Sequence, residues 1–136
     1  MSVLVDTPVW SLALRRKAPD PLVSAALTDL IARRLVRLIG PVRQELLSGI
    51  ASADQFEQLR KHLGSFPGMA ITRPDYEQAA AFTNLCRSRG VQGSNTDFLI
   101  CAVAVRTDCA IWTLDRDFLS YAKCLPIRLH PHPLDT

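Results

Sequence analysis

A three-layer α/β domain, with a central, mostly parallel sheet flanked by helices, is the fold this 136-residue sequence predicts, and three observations carry that expectation. Short β-branched and apolar runs alternate with segments whose apolar residues recur at helical spacing. One continuous apolar run, Phe98 to Val105, is too short to cross a membrane and reads as a helix buried on all sides. Acidic residues stand repeatedly where a strand gives way to a helix, which is where ligands bind in parallel sheets.

The elements follow in order. Ser2 to Asp6 reads as a first strand with Asp6 at its C-terminal end, followed by a turn at Thr7-Pro8 and a helix over Val9 to Leu14. Arg15 to Pro21 is basic and punctuated by prolines, a loop whose Arg15 to Lys17 offer phosphate contacts or a solvated charge cluster. Leu22 to Ile31 has the spacing of an amphipathic helix. A second strand over Leu35 to Ile39 is stopped by Gly40-Pro41, and a helix from Val42 to Ile50 carries Glu45 in its first or second turn.

Gln55 to Leu63 suggests a helix ended by Gly64, and Met69 to Ile71 is a brief apolar run. Thr72 and Asp75 form a capping pattern around Pro74, so the next helix runs to about Arg89 and stops at Gly90. Ser94, Asn95 and Asp97 then stand before the buried run, where an N-cap and an acid facing the helix's positive end are both expected. Ala110 to Thr113 is a strand with Asp115 at its end, a short helix covers Asp117 to Ala122, and Pro126 to Leu129 is a last short strand before a His-Pro tail.

Composition narrows the function classes. With 48% hydrophobic and 21% charged residues the chain reads as one domain over residues 1–136, with no membrane-spanning segment or export signal, and so as a cytoplasmic protein. Cys86, Cys101, Cys109 and Cys124 lack metal-ligand or redox spacing and read as free thiols in a reducing compartment. The net charge of +3 does not announce a nucleic-acid binder. If four of the 13 acids converge, however, the remainder holds 16 basic against 9 acidic residues, a surround that attracts a polyanion.

Asp6, Glu45, Asp97 and Asp115 are the acids that share this placement. Four carboxylates in one crevice repel by roughly 3 kcal/mol per pair at about 5 Å and an effective dielectric of 20, which a cation must offset. Oxygen-only ligands favour a hard ion, Mg²⁺ or Mn²⁺, over zinc. Such ions serve phosphoryl chemistry by polarising the phosphate, activating water and steadying the leaving oxygen. His62, His130 and His132 read as surface or tail residues, and Trp10 and Trp112 as core residues beside the acids.

The segments Val3 to Ser11, Gln44 to Gly49, Asp97 to Ala104 and Trp112 to Phe118 resemble, in order, the four signature blocks of PIN-domain nucleases, and most of all the VapC toxins of bacterial toxin-antitoxin pairs. The resemblance implies a PIN fold, an endoribonuclease that needs Mg²⁺ or Mn²⁺, a homodimer, and a small VapB-like antitoxin whose segment fills the active groove. It assigns Asp6, Glu45, Asp97 and Asp115 as catalytic and metal-binding residues, with Thr113 as a supporting polar residue. Asp117 is either a secondary ligand or the cap of the helix before Phe118, with capping the favoured role. The chain departs from the pattern at Cys101, where alanine is usual, and at Pro8, which is expected to stiffen the loop after Asp6.

Three rivals fit less well. A phosphoacceptor receiver domain would place an adjacent acidic pair at the first strand, whereas Asp6 stands alone. A haloacid-dehalogenase-like phosphatase would put an acid where Pro8 stands, and a dinucleotide-binding domain would have glycines in the first turn. A catalytically silent module of the same fold is the remaining alternative, disfavoured by the intact acidic quartet.

Overall fold

The structure, a computed structural model, describes residues 1–14, 18–66 and 68–132. Four strands, β1 (Val3–Val5), β2 (Val36–Ile39), β3 (Gly68–Met69) and β4 (Ala110–Trp112), form a parallel sheet in the order β3-β2-β1-β4. Seven helices complete the described chain: α1 (Thr7–Ala13), α2 (Pro21–Ala32), α3 (Gly40–Leu47), α4 (Ala53–Gly64), α5 (Arg73–Ser88), α6 (Asn95–Thr107) and α7 (Asp117–Cys124). This is the expected three-layer α/β arrangement, because parallel neighbours need crossovers and helices supply them. None of the described helices is long and apolar enough to cross a membrane.

The strand order decides where a site can form. From β1 the chain moves outward to β2 and β3, then returns to place β4 on the opposite side of β1. The order therefore reverses at β1, and the connections leaving β1 and β4 part to opposite sides and open a crevice beyond their C-terminal ends. Val3, Leu4 and Val5 pair with Ala110, Ile111 and Trp112, so the residues that follow, Asp6 and Thr113, emerge side by side.

Trp10, Trp112, Phe98, Phe118 and Tyr121 are fully buried among the aliphatic residues of β1, β2, β4 and α6. Burying each such ring contributes about 1.5–3 kcal/mol and fixes the elements that carry the acids. Both tryptophans are thus core residues, as expected. The Trp10 indole N–H donates to the Val5 carbonyl at 3.1 Å, tying α1 to the end of β1.

Several element boundaries differ from expectation for local reasons. The first strand stops at Val5 because the Asp6 carbonyl already accepts from the Val9 amide at 3.2 Å, making Asp6 the N-cap of α1. Pro8 lies in the first turn of that helix and not in a loop, where its missing N–H has no partner to lose. Gly40-Pro41 likewise opens α3 instead of ending the strand with a turn. The expected cap of α5 is present: Thr72 and Asp75 form a reciprocal capping box.

The expected strand over Pro126 to Leu129 is reduced to one bridge, Ile111 with Leu129, held by bonds from the Ile111 amide to Arg128 and from the His130 amide to Ile111. Helix α6 is not buried all round, since Leu99 is half-buried and Val105 is exposed. Cys86, Cys101 and Cys109 are buried free thiols, and Cys124 is half-buried. The readings of Arg15 to Lys17 as phosphate contacts and of Pro133 as part of a stiff tail fall outside the described residues.

Candidate active site

Each acid reaches the crevice by a different local device. Asp6 is positioned by its backbone: its amide donates to the Trp112 carbonyl at 2.9 Å, extending the β1–β4 ladder one residue beyond the strand. Its side chain is only 6% exposed. One carboxylate oxygen accepts from the Thr7 amide at 2.8 Å and the other from the Thr113 hydroxyl at 2.8 Å.

Thr113 is bonded twice. Its Oγ1 donates to Asp6 and accepts from the Asp115 amide at 3.0 Å, so one hydroxyl sets both the Asp6 carboxylate and the loop that carries Asp115. Asp115 in turn accepts from the Asp117 amide at 2.9 Å, and its carbonyl accepts from the Phe118 amide. The N-cap of α7 is Arg116, which makes no side-chain cap bond, so Asp117 does not hold the capping position expected of it. Asp117 is the first residue of the helix, exposed, with its carboxylate free to face solvent.

Glu45 arrives from α3, where it is solvent-exposed, and its Oε2 accepts from the Thr7 hydroxyl at 2.6 Å. Thr7 thus bridges the two neighbours across β1 and β2, through its amide to Asp6 and its hydroxyl to Glu45. Asp97 stands in the first turn of α6, whose N-cap is Ser94, with the Ser94 hydroxyl accepting from the Asp97 amide at 3.1 Å. The acid lies in the first turn, where the helix's positive end favours a negative charge, and its carboxylate also takes bonds from Ser94.

A residue that sequence reasoning missed completes the arrangement. The Tyr121 hydroxyl of α7 donates to Asp97 Oδ2 at 2.7 Å. The signal was present: Phe118 and Tyr121 share one face of a short helix, and a buried phenol needs a partner for its O–H. Gly93 is the matching feature, since a Cβ placed there would lie 2.1 Å from that hydroxyl. The turn before α6 accepts Tyr121 only because Gly93 has no side chain.

The electrostatics tie the quartet together. Burial raises the Asp6 pKa above its ordinary value, opposed by its bonds from Thr113 and Thr7 and reinforced by the charges of Asp97 and Glu45. Burial also raises that of Asp97, opposed by bonds from Tyr121 and Ser94 and reinforced by Asp115. Tyr121 is pushed upward by burial and then by Asp97, which keeps the phenol a donor. The Cys101 thiol, behind the cluster, is held neutral by burial and by the same carboxylates.

Among the described residues, no three histidines, cysteines or acids already stand close enough to enclose a metal ion. The donor chemistry nevertheless fits a hard divalent cation. All four groups offer oxygen, Asp6 and Asp97 bear the cost of burying like charges, and a cation is what relieves it. Glu45 Oε1 and Asp115 Oδ2 accept none of the bonds that hold their partner oxygens.

The histidines also differ from expectation. His132 is buried, and its Nδ1 accepts from the Trp112 indole N–H at 3.2 Å; His130 packs its ring 5.4 Å from Trp112. The tail folds back along β4 and borders the Asp115 loop, so these two histidines are neighbours of an acidic block. His62 is exposed, as expected.

Known proteins show the same architecture. The structure of FitAcB from Neisseria gonorrhoeae matches with a TM-score of 0.76 at 21% identity, covering 98% of this chain and 99% of that one. VapBC2 from Rickettsia felis, bound to a DNA fragment from its promoter, matches at 0.75 and 15% identity over 96% and 98% of the chains. A toxin-antitoxin complex from Klebsiella pneumoniae matches at 0.67 and 20% identity over 86% and 90%. No curated protein matches the sequence. At these identities the structures establish the fold alone, while the family model for the PIN domain matches residues 3–123. The chain belongs to the PIN-domain family.

Proposed function

We propose that the protein is a metal-dependent endoribonuclease, a single PIN nuclease domain over residues 1–136, acting in the cytoplasm as the toxin of a toxin-antitoxin pair. What supports this reading is that Asp6, Glu45 and Asp115 are linked through Thr7 and Thr113, and that the charges of Asp97 and Glu45 act on Asp6 and that of Asp115 on Asp97. Mg²⁺ or Mn²⁺ is the expected ion, held by Asp6, Asp97 and Asp115 with Glu45 completing the set. When bound, such an ion supplies charge to the phosphate and acidity to a water molecule.

The protein's own groups do the rest. Thr113 and Thr7 hold the Asp6 carboxylate in one orientation, and Tyr121 holds that of Asp97. Glu45, the exposed member of the set, completes the metal shell or orients the attacking water. Among the described residues no serine or cysteine nucleophile is paired with a base: Cys101 is buried and neutral, and Ser11 is exposed on α1 outside the quartet's hydrogen bonds.

The toxin reading is supported by the sequence resemblance to VapC and by structural likeness to toxin-antitoxin assemblies. It implies a homodimer and a small VapB-like antitoxin that fills the active groove and blocks RNA. The test is cleavage of RNA by the purified protein with Mn²⁺ or Mg²⁺, and its inhibition by the product of an adjacent small reading frame. Unchanged cleavage in Asp6→Ala and Asp97→Ala defeats the site assignment, and failure of every adjacent small protein to inhibit defeats the toxin role.

A further inference from the structure

We infer that the cavity between the β4–α7 loop and the C-terminal tail is a subsite for one base of the substrate strand, next to the bond that is cut; this rests on the nuclease reading above. The ends of β2, β1 and β4 lie in that order along one edge of the sheet, followed by Glu45 on the helix after β2, Asp6 after β1, and Thr113 and Asp115 after β4. A strand of RNA laid along this edge meets the tail next, because Leu129 pairs alongside β4 on its outer side.

A cavity of about 560 Å³ opens there, and it shares Thr113 and Asp115 with the acidic cluster. That size is within the range of small-ligand sites, roughly 300–1,000 Å³. Its walls are mostly apolar and include Leu119 and Leu129. Leu119 is 54% exposed, although it lies on a helix whose other large apolar residues, Phe118 and Tyr121, are fully buried. The His130 ring forms another wall, backed by the buried Trp112 ring at 5.4 Å, and burial lowers its pKa so that it favours the neutral form.

A nucleobase suits this combination. It is planar and stacks on imidazole or aliphatic surfaces without needing a specific edge contact. In a nucleic acid the base beside a phosphate is attached within one ribose of it, so a cavity that shares a wall with Asp115 is within reach of a base flanking the reacting phosphate. Arg116, exposed on the same rim, offers its charge to the next phosphate along the strand.

The experiment uses short single-stranded RNAs cut by the wild-type protein in Mn²⁺, each with an abasic residue at one position near the cleavage site. The expected result is that one adjacent abasic position lowers kcat/KM by roughly tenfold, the scale of one lost base stack. Leu119→Ser and His130→Ala are expected to cut the intact RNA as slowly as the wild type cuts the abasic one, and to lose the discrimination. Leu119 is exposed, so its variant folds even where His130→Ala does not. Cleavage with wild-type discrimination in Leu119→Ser, or no abasic effect in the wild type, overturns the subsite and leaves the nuclease reading standing. Absence of metal-dependent cleavage by the wild type overturns both.

Discussion

The Tyr121 hydroxyl and Asp97 Oδ2 stand 2.7 Å apart, joining the one polar atom of a buried ring in α7 to the acid at the start of α6. The ring is held by Phe98 and Phe118, each with its centroid 5.0 Å away, so the hydroxyl is presented by a packed support and not by a mobile side chain. Tyr121→Phe keeps that packing and removes only the donor. Metal affinity and RNA cleavage are expected to fall together by about 10- to 100-fold, the usual scale for losing a group that orients a ligand. Titration with Mn²⁺ beside a cleavage assay checks it, with an unchanged circular dichroism spectrum as the folding control.

Gly93 is the steric counterpart of that bond. In Gly93→Ala the added Cβ meets the Tyr121 hydroxyl at 2.1 Å and ring carbons at 2.6 and 2.9 Å, so the ring or the turn must move. The expected cost is about 1–3 kcal/mol of stability, as for overpacking elsewhere. Thermal denaturation reads this directly, and weakened Mn²⁺ binding should accompany it because the displaced hydroxyl no longer holds Asp97.

Two windows of pH dependence follow, with opposite signs. Asp6 and Asp97 have pKa values raised above 3.8, chiefly by burial, so between that value and their raised ones the native metal-free protein binds more protons than the unfolded chain. Stability therefore decreases as pH rises through this window. Asp6→Asn is expected to flatten that dependence and to leave the metal-free protein more stable at neutral pH. Protons and Mn²⁺ also compete for these carboxylates, so metal affinity in the wild type should weaken on acidification while pH is still above 3.8. Thermal scans and Mn²⁺ titrations across pH check both.

Asp75 behaves in the opposite sense. Burial would raise its pKa, but bonds from Arg106 at 2.7 Å and from Thr72 outweigh it and hold the pKa below 3.8. The stability it confers is present above 3.8 and is lost as pH falls through its lower native value. Arg106 is itself 42% exposed, so solvent weakens the pair. Arg106→Ala is expected to cost about 1–3 kcal/mol, because the buried carboxylate keeps only its Thr72 bonds. Denaturant unfolding at neutral pH measures it, with cleavage per folded molecule unchanged, since this pair lies at the far end of α6 from Asp97.

What the sequence revealed follows from the range of the forces involved. Strand and helix types were legible because β-branched runs and helical periodicity are local, and the Thr72–Asp75 box was legible because its partners are three residues apart. The acids were legible by position, since Asp6, Asp97 and Asp115 stand where an element starts or ends and Glu45 in the helix that follows a strand. The helical pattern marked Tyr121 as a buried phenol in need of a partner, but that partner, Asp97, and the matching Gly93 lie 24 and 28 residues away in the chain, where no local pattern points. A capping role was given to Asp117 because an acid suits the start of α7, but Asp117 is already the first residue of that helix and its amide turns back to Asp115. The histidines were read as part of a stiff, unpaired tail because prolines alternate with them; the bridge at Leu129 and the bond from Trp112 to His132 fold them back.

The convergence of Asp6 and Asp97 on one cation is tested most directly by calorimetric titration of the purified protein with Mn²⁺, comparing the wild type with Asp6→Asn and Asp97→Asn. Both amides preserve shape and remove one charge each. The account predicts saturable binding in the wild type that is weakened at least tenfold in each variant, with both variants folded. Equal Mn²⁺ affinity in all three proteins would contradict it.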